Sequence, residues 1–151
     1  MLEAQRLPKG HVDREAAKEA YEQFVDREYG ACRALEKRWM KRMKSRAHPA
    51  LSEIPNLVWE ICDRLGVSQP SWIYFDSSDA LPGAGAHYQP KDRTLHFYGY
   101  ASLRIVVHET AHHVKHVEKM EGPSHGEHFV WCEDMAFKAI HRFFQESNGN
   151  V

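Results

Sequence analysis

The sequence is poor in cysteine and carries almost no net charge. Among 151 residues there are three cysteines, Cys32, Cys62 and Cys132, and no Cys-x-x-Cys pair. An odd number of widely spaced cysteines argues against a disulfide framework and against a cysteine-based zinc site. It favours a reducing compartment, so we expect a cytoplasmic protein. The formal net charge of −1 gives no global reason to expect binding to nucleic acid or to a membrane.

Long apolar runs and internal repeats are also missing. No apolar stretch approaches the roughly 20 residues of a membrane span. Residues 1–30 are charged and contain no apolar segment of the kind found in signal peptides. Apolar residues make up 42% and charged residues 27% of the chain, as in ordinary globular proteins. We therefore predict one domain over 1–151, with flexible ends at 1–12 and 146–151.

Helical periodicity dominates the first part of the chain. Between Asp13 and Arg46, apolar residues recur at steps of three, four and seven, which predicts one long amphipathic helix that Gly30 could bend. Its basic end, Lys37–Arg46, is most simply a solvated face, and a patch for nucleic acid or an acidic partner is the alternative. A second helix is predicted over Leu51–Leu65. Ser52 is its expected N-cap, and Gly66 follows its end.

The middle of the chain predicts a small sheet. Three short runs rich in β-formers are expected to be strands: Ser71–Phe75, Ala86–Tyr88 and Thr94–Phe97. A loop, Asp76–Gly85, separates the first two runs. The turn residues Pro90-Lys91-Asp92 join the second and third runs into a predicted hairpin. His87 and His96 alternate with apolar neighbours, so we place them on the polar face of the sheet and not among metal ligands.

The motif His-Glu-x-x-His occupies residues 108–112 and follows the apolar run 105–107. Residues four apart on a helix share one face, so His108 and His112 can bind one metal ion. Glu109 can reach a water bound to that metal and act as a general base, which is the zincin arrangement for Zn²⁺. Because the chain contains 11 histidines, a histidine-rich surface helix is the alternative interpretation.

This motif lies in a helix that we predict from Ser102 to Met120. A Gly-Pro turn over 121–124 ends it, and a last helix is predicted from Glu127 to Phe144, before a polar tail. The predicted fold is α+β and zincin-like. It combines long N-terminal helices, a small three-stranded sheet, the His-Glu-x-x-His helix and a C-terminal helix.

A catalytic zinc site usually has three protein ligands, so one more residue is needed. The sequence does not match the metzincin class of zinc proteases, because Glu118 occupies the position at which that class has its third histidine ligand. His116 lies one further turn along the same helix, too far to share the ion. Glu133 would suit a gluzincin-like site, and His128 is a further alternative. We favour His125, because it follows a Gly-Pro-Ser turn that could fold it back onto the pair.

The order of these motifs resembles the SprT-like zincin family, which includes the SprT and Spartan proteases. The likeness spans about residues 82–137 and is closest to small bacterial and phage metallohydrolases. Its parts are a glycine-rich stretch at 83–88, the strand 93–97, the metal motif, a Gly/Pro loop and His-Gly-x-x-Phe at 125–129. The resemblance implies His125 as the third zinc ligand and a peptide or protein as substrate. It does not extend to the zinc ribbon that some SprT-like proteins carry.

A zinc-dependent peptidase with these residues would use Glu109 to activate a metal-bound water for attack on a carbonyl carbon. Nearness in sequence suggests these candidates for a second group that stabilises the oxyanion: Tyr98, Tyr100, Arg104, His113 and His128. From the likeness to zincins we also expect the strand Arg93–Phe97 to offer a sheet edge on which an extended peptide pairs.

Three other hypotheses stay open. Histidines at 108, 112 and 116 are similar to the pattern of ImmA/IrrE zincins, regulatory peptidases that act on phage-type repressors. Zinc could instead be purely structural and join the last two helices. A nucleic-acid-binding domain built on Lys37–Arg46 is the third hypothesis.

Overall fold

The structure, a computed structural model, describes residues 29–76, 85–99 and 101–147. Within these ranges the chain forms helix α1 (29–42), helix α2 (Ile54–Leu65), strands β1 (Trp72–Asp76), β2 (Ala86–Gln89) and β3 (Thr94–Tyr98), helix α3 (Leu103–Val117) and helix α4 (Glu127–Ser147). Short 3-10 turns over Lys44–Arg46 and Leu51–Glu53 precede α2. The described part is therefore α+β, with four helices and a three-stranded mixed sheet.

Several predicted segments lie outside the described residues. They are the amino-terminal arm, the first part of the long helix up to residue 28, the loop over 77–84, and the end of the tail from 148. The long helix ends at residue 42 rather than at Arg46, and a 3-10 turn follows it. The helix predicted to end at Phe144 continues to Ser147.

The start of α2 differs from the prediction. Ser52 is not the N-cap, because it lies inside the 3-10 turn that leads into the helix. The side chain of Glu53 accepts a hydrogen bond from the backbone N–H of Ala50 at 2.9 Å, and Pro55 occupies the first turn, where a missing N–H costs nothing. The predicted end is confirmed: Gly66 has φ +70, a left-handed conformation that glycine adopts without strain.

The sheet has the strand order β1-β3-β2. The predicted hairpin is confirmed, since β2 pairs antiparallel with β3 and His87 lies opposite His96. On its other side β3 pairs with β1 in parallel. The prediction of a free edge along Arg93–Phe97 is therefore wrong, because β3 is the central strand and is hydrogen-bonded on both sides. The edge beside α3 belongs to β2.

The core lies between one face of the sheet and the helices. Leu95 and Phe97 of β3 are buried there. Trp39 ties α1 to α4, since its indole N–H donates to Asp134 Oδ1 at 2.9 Å and its ring stacks on Phe137. No helix among the described residues combines the length and the apolar character needed to cross a membrane.

Helix α3 begins and ends close to its predicted limits. Ser102 is the N-cap, as expected, and its Oγ accepts a hydrogen bond from the N–H of Ile105 at 3.3 Å. The helix ends at Val117, three residues before the predicted Met120, and Lys119 then takes φ +55. Its buried side packs on α2, α4 and β2, which leaves its half-buried side to form a cleft with the β2 edge.

Candidate metal centre

Three histidines bring their Nε2 atoms together. His108 and His112 lie one turn apart on α3, and His125 approaches them from the chain before α4. The Nε2 atom of His125 lies 3.2 Å from that of His108 and 3.0 Å from that of His112. Two nitrogens bound to one zinc ion at about 2.0–2.1 Å, with tetrahedral angles, lie about 3.3 Å apart. These three imidazoles could therefore hold one metal ion.

The chain between α3 and α4 delivers His125 to this point. Gly122 adopts φ +99, and the N–H of Gly126 donates to the carbonyl of Pro123 at 3.1 Å. The ammonium group of Lys115 donates to the carbonyls of Gly122 and Pro123, each at 3.1 Å, and so fixes this connection to α3. A Cβ on Gly126 would lie 3.0 Å from Pro123 Cδ, which explains the glycine that follows His125.

Phe129 forms the apolar wall behind the three histidines. Its ring centroid lies 4.9 Å from that of His108, 4.2 Å from that of His112 and 5.0 Å from that of His125. The phenylalanine is fully buried and reaches them from the first turn of α4. The aromatic residue of the His-Gly-x-x-Phe motif thus limits the rotation of all three imidazoles.

Two buried carboxyl groups contact the other nitrogen of His108. Its Nδ1 atom lies 2.8 Å from Glu36 Oε1 and 2.7 Å from Glu133 Oε2. The two glutamates are 4% and 0% exposed. Arg104 pairs with the second oxygen of Glu36 at 3.3 Å. A histidine that donates its Nδ1–H to a carboxylate presents the Nε2 electron pair to a metal, which is a common arrangement behind metal ligands.

Glu133 therefore contacts the Nδ1 side of His108, whereas a gluzincin-like ligand would bind the metal on the Nε2 side. Glu36, His108 and Glu133 also lie close enough together to hold a metal ion. However, separations of 2.7 and 2.8 Å from Nδ1 are hydrogen-bond distances and are shorter than the ~3.3 Å between two atoms bound to one zinc. We therefore assign both glutamates to the orientation of His108.

The three imidazoles differ in their affinity for protons. Burial by itself lowers the pKa of His108, but the hydrogen bonds with Glu133 and Glu36 outweigh it and raise this pKa to about 9. Burial lowers the pKa of His112 well below its usual value and that of His125 to about 4, and the charge of His108 adds to both effects. His112 and His125 are thus neutral at pH 7, with electron pairs free for a metal.

The two carboxyl groups beside His108 are shifted in opposite directions. Burial raises the pKa of Glu133. Burial also tends to raise the pKa of Glu36, but the contacts with His108 and Arg104 outweigh it and lower this pKa. Glu36 is therefore the firmly ionised member of the pair, and its negative charge favours positive charge on the imidazole of His108, which it contacts.

The three histidines open into a cleft of about 630 Å³ between α3, β2 and the α3–α4 connection. Glu109 lines this cleft beside them. Its carboxylate accepts a hydrogen bond from the backbone N–H of Tyr88, and burial raises its pKa. The glutamate of the motif thus lies between the histidine cluster and the β2 edge, where it can exchange a proton with a group bound in the cleft.

Two of the residues suggested for the oxyanion have structural contacts instead. His113 is buried, with Nε2 at 2.7 Å from the carbonyl of Ser68 and Nδ1 at 2.9 Å from the hydroxyl of Tyr88. His128 is exposed, and its Nδ1 donates to the carbonyl of Glu121 at 2.7 Å. His128 is also not brought to the histidine cluster, so its alternative role as third ligand finds no support in the geometry.

Of the other residues suggested for stabilising the oxyanion, Tyr98 lies in strand β3 and Arg104 in helix α3. The hydroxyl of Tyr98 lies 2.8 Å from Nδ1 of His87, whose ring stacks on His96 with centroids 4.5 Å apart. Tyr100 lies outside the described residues. Arg104 contacts Glu36 and so acts on His108 indirectly. His87 and His96 lie opposite each other in the sheet, and neither belongs to the two groups of described residues that could hold a metal.

Sequence reasoning missed Glu36 and Tyr29. The ring of Tyr29 lies 3.9 Å from that of His125, between centroids, and it lines the cleft. Glu36 had a detectable signal: it lies on the apolar stripe of α1, four residues after Cys32 and three before Trp39. A glutamate on a buried helix face requires a partner, and the partner here is His108. Tyr29 carried no comparable signal.

The chain was compared with protein-family models, with curated proteins and with solved structures, and no match was found in any of the three. The resemblance to SprT-like proteins therefore rests on the order of motifs described above.

Proposed function

We propose that this protein is a zinc-dependent hydrolase, and specifically a metallopeptidase of zincin-like type that resembles the SprT-like family. The observation that carries the proposal is the convergence of three Nε2 atoms beside the glutamate of a His-Glu-x-x-His motif. Three histidine ligands with room for a fourth ligand are typical of catalytic zinc sites, whereas structural sites are usually closed by four protein ligands.

In this proposal His108, His112 and His125 hold Zn²⁺. When bound, zinc lowers the pKa of water toward neutrality and polarises a carbonyl group. Glu109 takes the proton of the attacking water and passes it to the leaving amine, a role that requires a carboxylate inside the cleft. Glu36 and Glu133 hold His108 in the orientation that directs Nε2 toward the other two histidines.

An extended peptide would bind along the edge of β2 that faces away from β3, where the N–H of Tyr88 already donates to Glu109. This edge lines the same cleft as Glu109, because Ala86, His87 and Tyr88 all contribute to its wall. Strand addition to an exposed edge supplies backbone hydrogen bonds without demanding one sequence. The edge thus replaces β3 as the proposed site of peptide pairing, and it supports a peptide substrate over a smaller amide.

The variant Glu109→Gln tests the proposal. We expect zinc-loaded wild-type protein to cleave members of a peptide library, read by mass spectrometry. Glu109→Gln should bind the same amount of zinc and unfold at the same temperature, but its turnover should fall by about 10²–10⁴-fold. The matched control is Glu118→Gln, which removes an exposed carboxylate at the end of the same helix.

Two results would contradict the peptidase proposal. If zinc-loaded wild-type protein cleaved no peptide while zinc stabilised its fold, the metal would be structural. Unchanged turnover in Glu109→Gln would remove the general base from the mechanism. A repressor-specific peptidase of ImmA/IrrE type would be supported only if cleavage were confined to repressor-like proteins.

A further inference from the structure

A row of stacked rings crosses the outer face of the sheet. Tyr74 of β1 lies opposite His96 of β3, and His96 lies opposite His87 of β2. The ring centroids are 4.7 Å apart in the first pair and 4.5 Å apart in the second, and both pairs are stacked. His96 alternates with the buried residues Leu95 and Phe97, so the row lies on the face away from the core. Each strand contributes one ring, and the row ends at Tyr74.

Strand β1 is an edge strand with exposed aromatic side chains. Among the residues that the structure describes it pairs with β3 alone, and we call its other side the outer edge of β1. Trp72, Tyr74 and Phe75 are 63%, 43% and 44% exposed. Lysine, proline or a bulge usually protects such an edge, but β1 contains no lysine or proline and its register with β3 is unbroken. An edge of this kind is a template for another strand.

The backbone of β1 offers hydrogen-bonding groups at two residues of this outer edge. The carbonyl of Asp76 accepts a hydrogen bond from the N–H of Gly99 at 3.1 Å, so Asp76 directs its backbone groups toward β3. These directions alternate along a strand, and Ile73 and Phe75 therefore direct their N–H and C=O groups toward the outer edge. An antiparallel strand bonded to both residues would place a side chain directly opposite Tyr74, in a non-hydrogen-bonded pair whose side chains lie close together.

We propose that the outer edge of β1 pairs with β1 of a second copy of this chain, antiparallel and about a two-fold axis at Tyr74. The strand is complementary to itself in this register. Ile73 lies opposite Phe75 of the second copy, which pairs two apolar side chains on the core side of the sheet. Trp72 lies opposite Asp76, and Tyr74 lies opposite itself, which joins the rows of rings of the two copies.

A second copy fits this edge better than a nucleic acid does. Asp76 is the only charged residue of β1, whereas a phosphate backbone requires cations. The inference is independent of the proposed peptidase function, because the cleft with the histidine cluster lies beside β2, on the opposite side of β3. Both clefts therefore stay accessible from the edges of the combined sheet.

The exposed area determines the expected strength of the dimer. An aromatic side chain can bury about 150–250 Å², so the exposed fractions of Trp72, Tyr74 and Phe75 correspond to roughly 300 Å² of aromatic surface per copy. Two short strands paired at their edges thus belong to the class of interfaces below about 1,200 Å², which is typical of weak association. We expect a reversible dimer with a Kd of about 10–100 µM.

The first test places charges on the two-fold axis. In Tyr74→Glu and in Tyr74→Lys each charge would face an identical charge, so sedimentation equilibrium should show dimerisation weakened by at least about tenfold in either variant alone. An equimolar mixture should dimerise again, because opposite charges then meet, and a fluorescent label on one variant identifies the heterodimer. Trp131→Glu and Trp131→Lys are the controls, since they alter a 55% exposed tryptophan on α4, and both should dimerise like the wild type.

The second test reads the register from disulfide formation. In Tyr74→Cys the two introduced thiols would lie opposite each other, with Cα atoms within the range of about 4.4–6.8 Å that a disulfide requires. In Trp72→Cys the Cα atoms would be roughly 14 Å apart, because each residue pairs with Asp76 of the other copy. Mild oxidation should therefore cross-link Tyr74→Cys and leave Trp72→Cys monomeric. The native cysteines are buried and do not compete.

Four results would overturn the inference. The first is a wild-type protein that sediments as a monomer up to about 500 µM, well above the expected Kd. The second is a dimer that both Tyr74 charge variants keep, or that their mixture fails to restore. The third is equal cross-linking of Tyr74→Cys and Trp72→Cys. The fourth is a wild-type monomer that binds a single-stranded oligonucleotide, with loss of this binding in Tyr74→Glu, which would assign the row of rings to nucleic acid.

Discussion

Glu133 lies 2.7 Å from the Nδ1 atom of His108, the ring nitrogen that does not face the other two histidines. Glu133, which the sequence offered as an alternative metal ligand, thus lies behind His108, one of the three proposed ligands. Together with Glu36 it fixes the ring of His108. Removal of such a carboxylate typically lowers metal affinity by 10–100-fold, because the histidine loses its orientation and basicity.

We accordingly expect Glu36→Gln and Glu133→Gln each to weaken zinc binding by about 10–100-fold. Competition with a chromogenic chelator measures this affinity directly. Glu127→Gln, an exposed glutamate in the first turn of α4, is the control and should bind zinc like the wild type. Wild-type affinity in both buried variants would show that the carboxyl groups do not support the site.

Tyr88→Phe tests whether His113, the histidine directly after His112, has a structural role. The change removes the hydroxyl that contacts Nδ1 of buried His113 at 2.9 Å. An unsatisfied buried nitrogen should lower the free energy of unfolding by about 1–3 kcal/mol, measured in denaturant. Zinc stoichiometry should stay unchanged. Tyr74→Phe, which alters an exposed tyrosine on β1, serves as the control.

Asp134 predicts a pH-dependent contribution to stability. Burial by itself raises its pKa, but the hydrogen bonds from Trp39 and Lys138 outweigh burial and lower it. Because the pKa is lower in the folded state, the stabilisation is present above the unfolded value and disappears as the pH falls through the folded value.

The wild type should therefore exceed Asp134→Asn in free energy of unfolding at pH 7, by at most about 1 kcal/mol because the site is partly exposed. The difference should shrink toward pH 3. Asp63→Asn, an exposed aspartate on α2, supplies the comparison. A difference that stayed constant from pH 7 to pH 3 would mean that the charge of Asp134 does not contribute.

Peptide pairing with the β2 edge can be tested without changing the protein. Methylation of a backbone N–H removes a donor and adds bulk, so a peptide methylated at a nitrogen that bonds the edge should be cleaved at least tenfold more slowly, for a loss of about 1.4 kcal/mol. A scan of single N-methyl groups along a good substrate should show sensitivity at alternate residues, because strand hydrogen bonds alternate. Uniform sensitivity, or none, would argue against strand addition.

Local patterns in the sequence predicted the parts of the site that local structure determines. The period of the α-helix placed His108 and His112 on one face, and turn chemistry at Pro90–Asp92 predicted the hairpin that provides β2. The Gly-Pro-Ser turn predicted that His125 returns to the pair, and the two Nε2 separations of 3.0 and 3.2 Å agree with it.

Long-range pairings could not be predicted in the same way. Glu36 is 72 positions from His108 in sequence, and only the packing of α1 against the other helices brings them into contact. The parallel pairing of β1 with β3 likewise joins strands separated by β2, and no local pattern contradicted the edge that the likeness to zincins suggested for β3. Such contacts depend on tertiary packing and leave no short-range pattern beyond an unexpected glutamate on an apolar stripe.

Metal content measured on chelator-washed and zinc-reloaded protein tests the central claim most directly. We expect about one zinc per chain in the wild type, the same in His128→Ala, and a strongly reduced content in His125→Ala. His128 is the matched control because it is an exposed histidine only three residues away, outside the cluster. Equal zinc content in His125→Ala and the wild type, with both proteins folded, would contradict the assignment of His108, His112 and His125 as the metal centre.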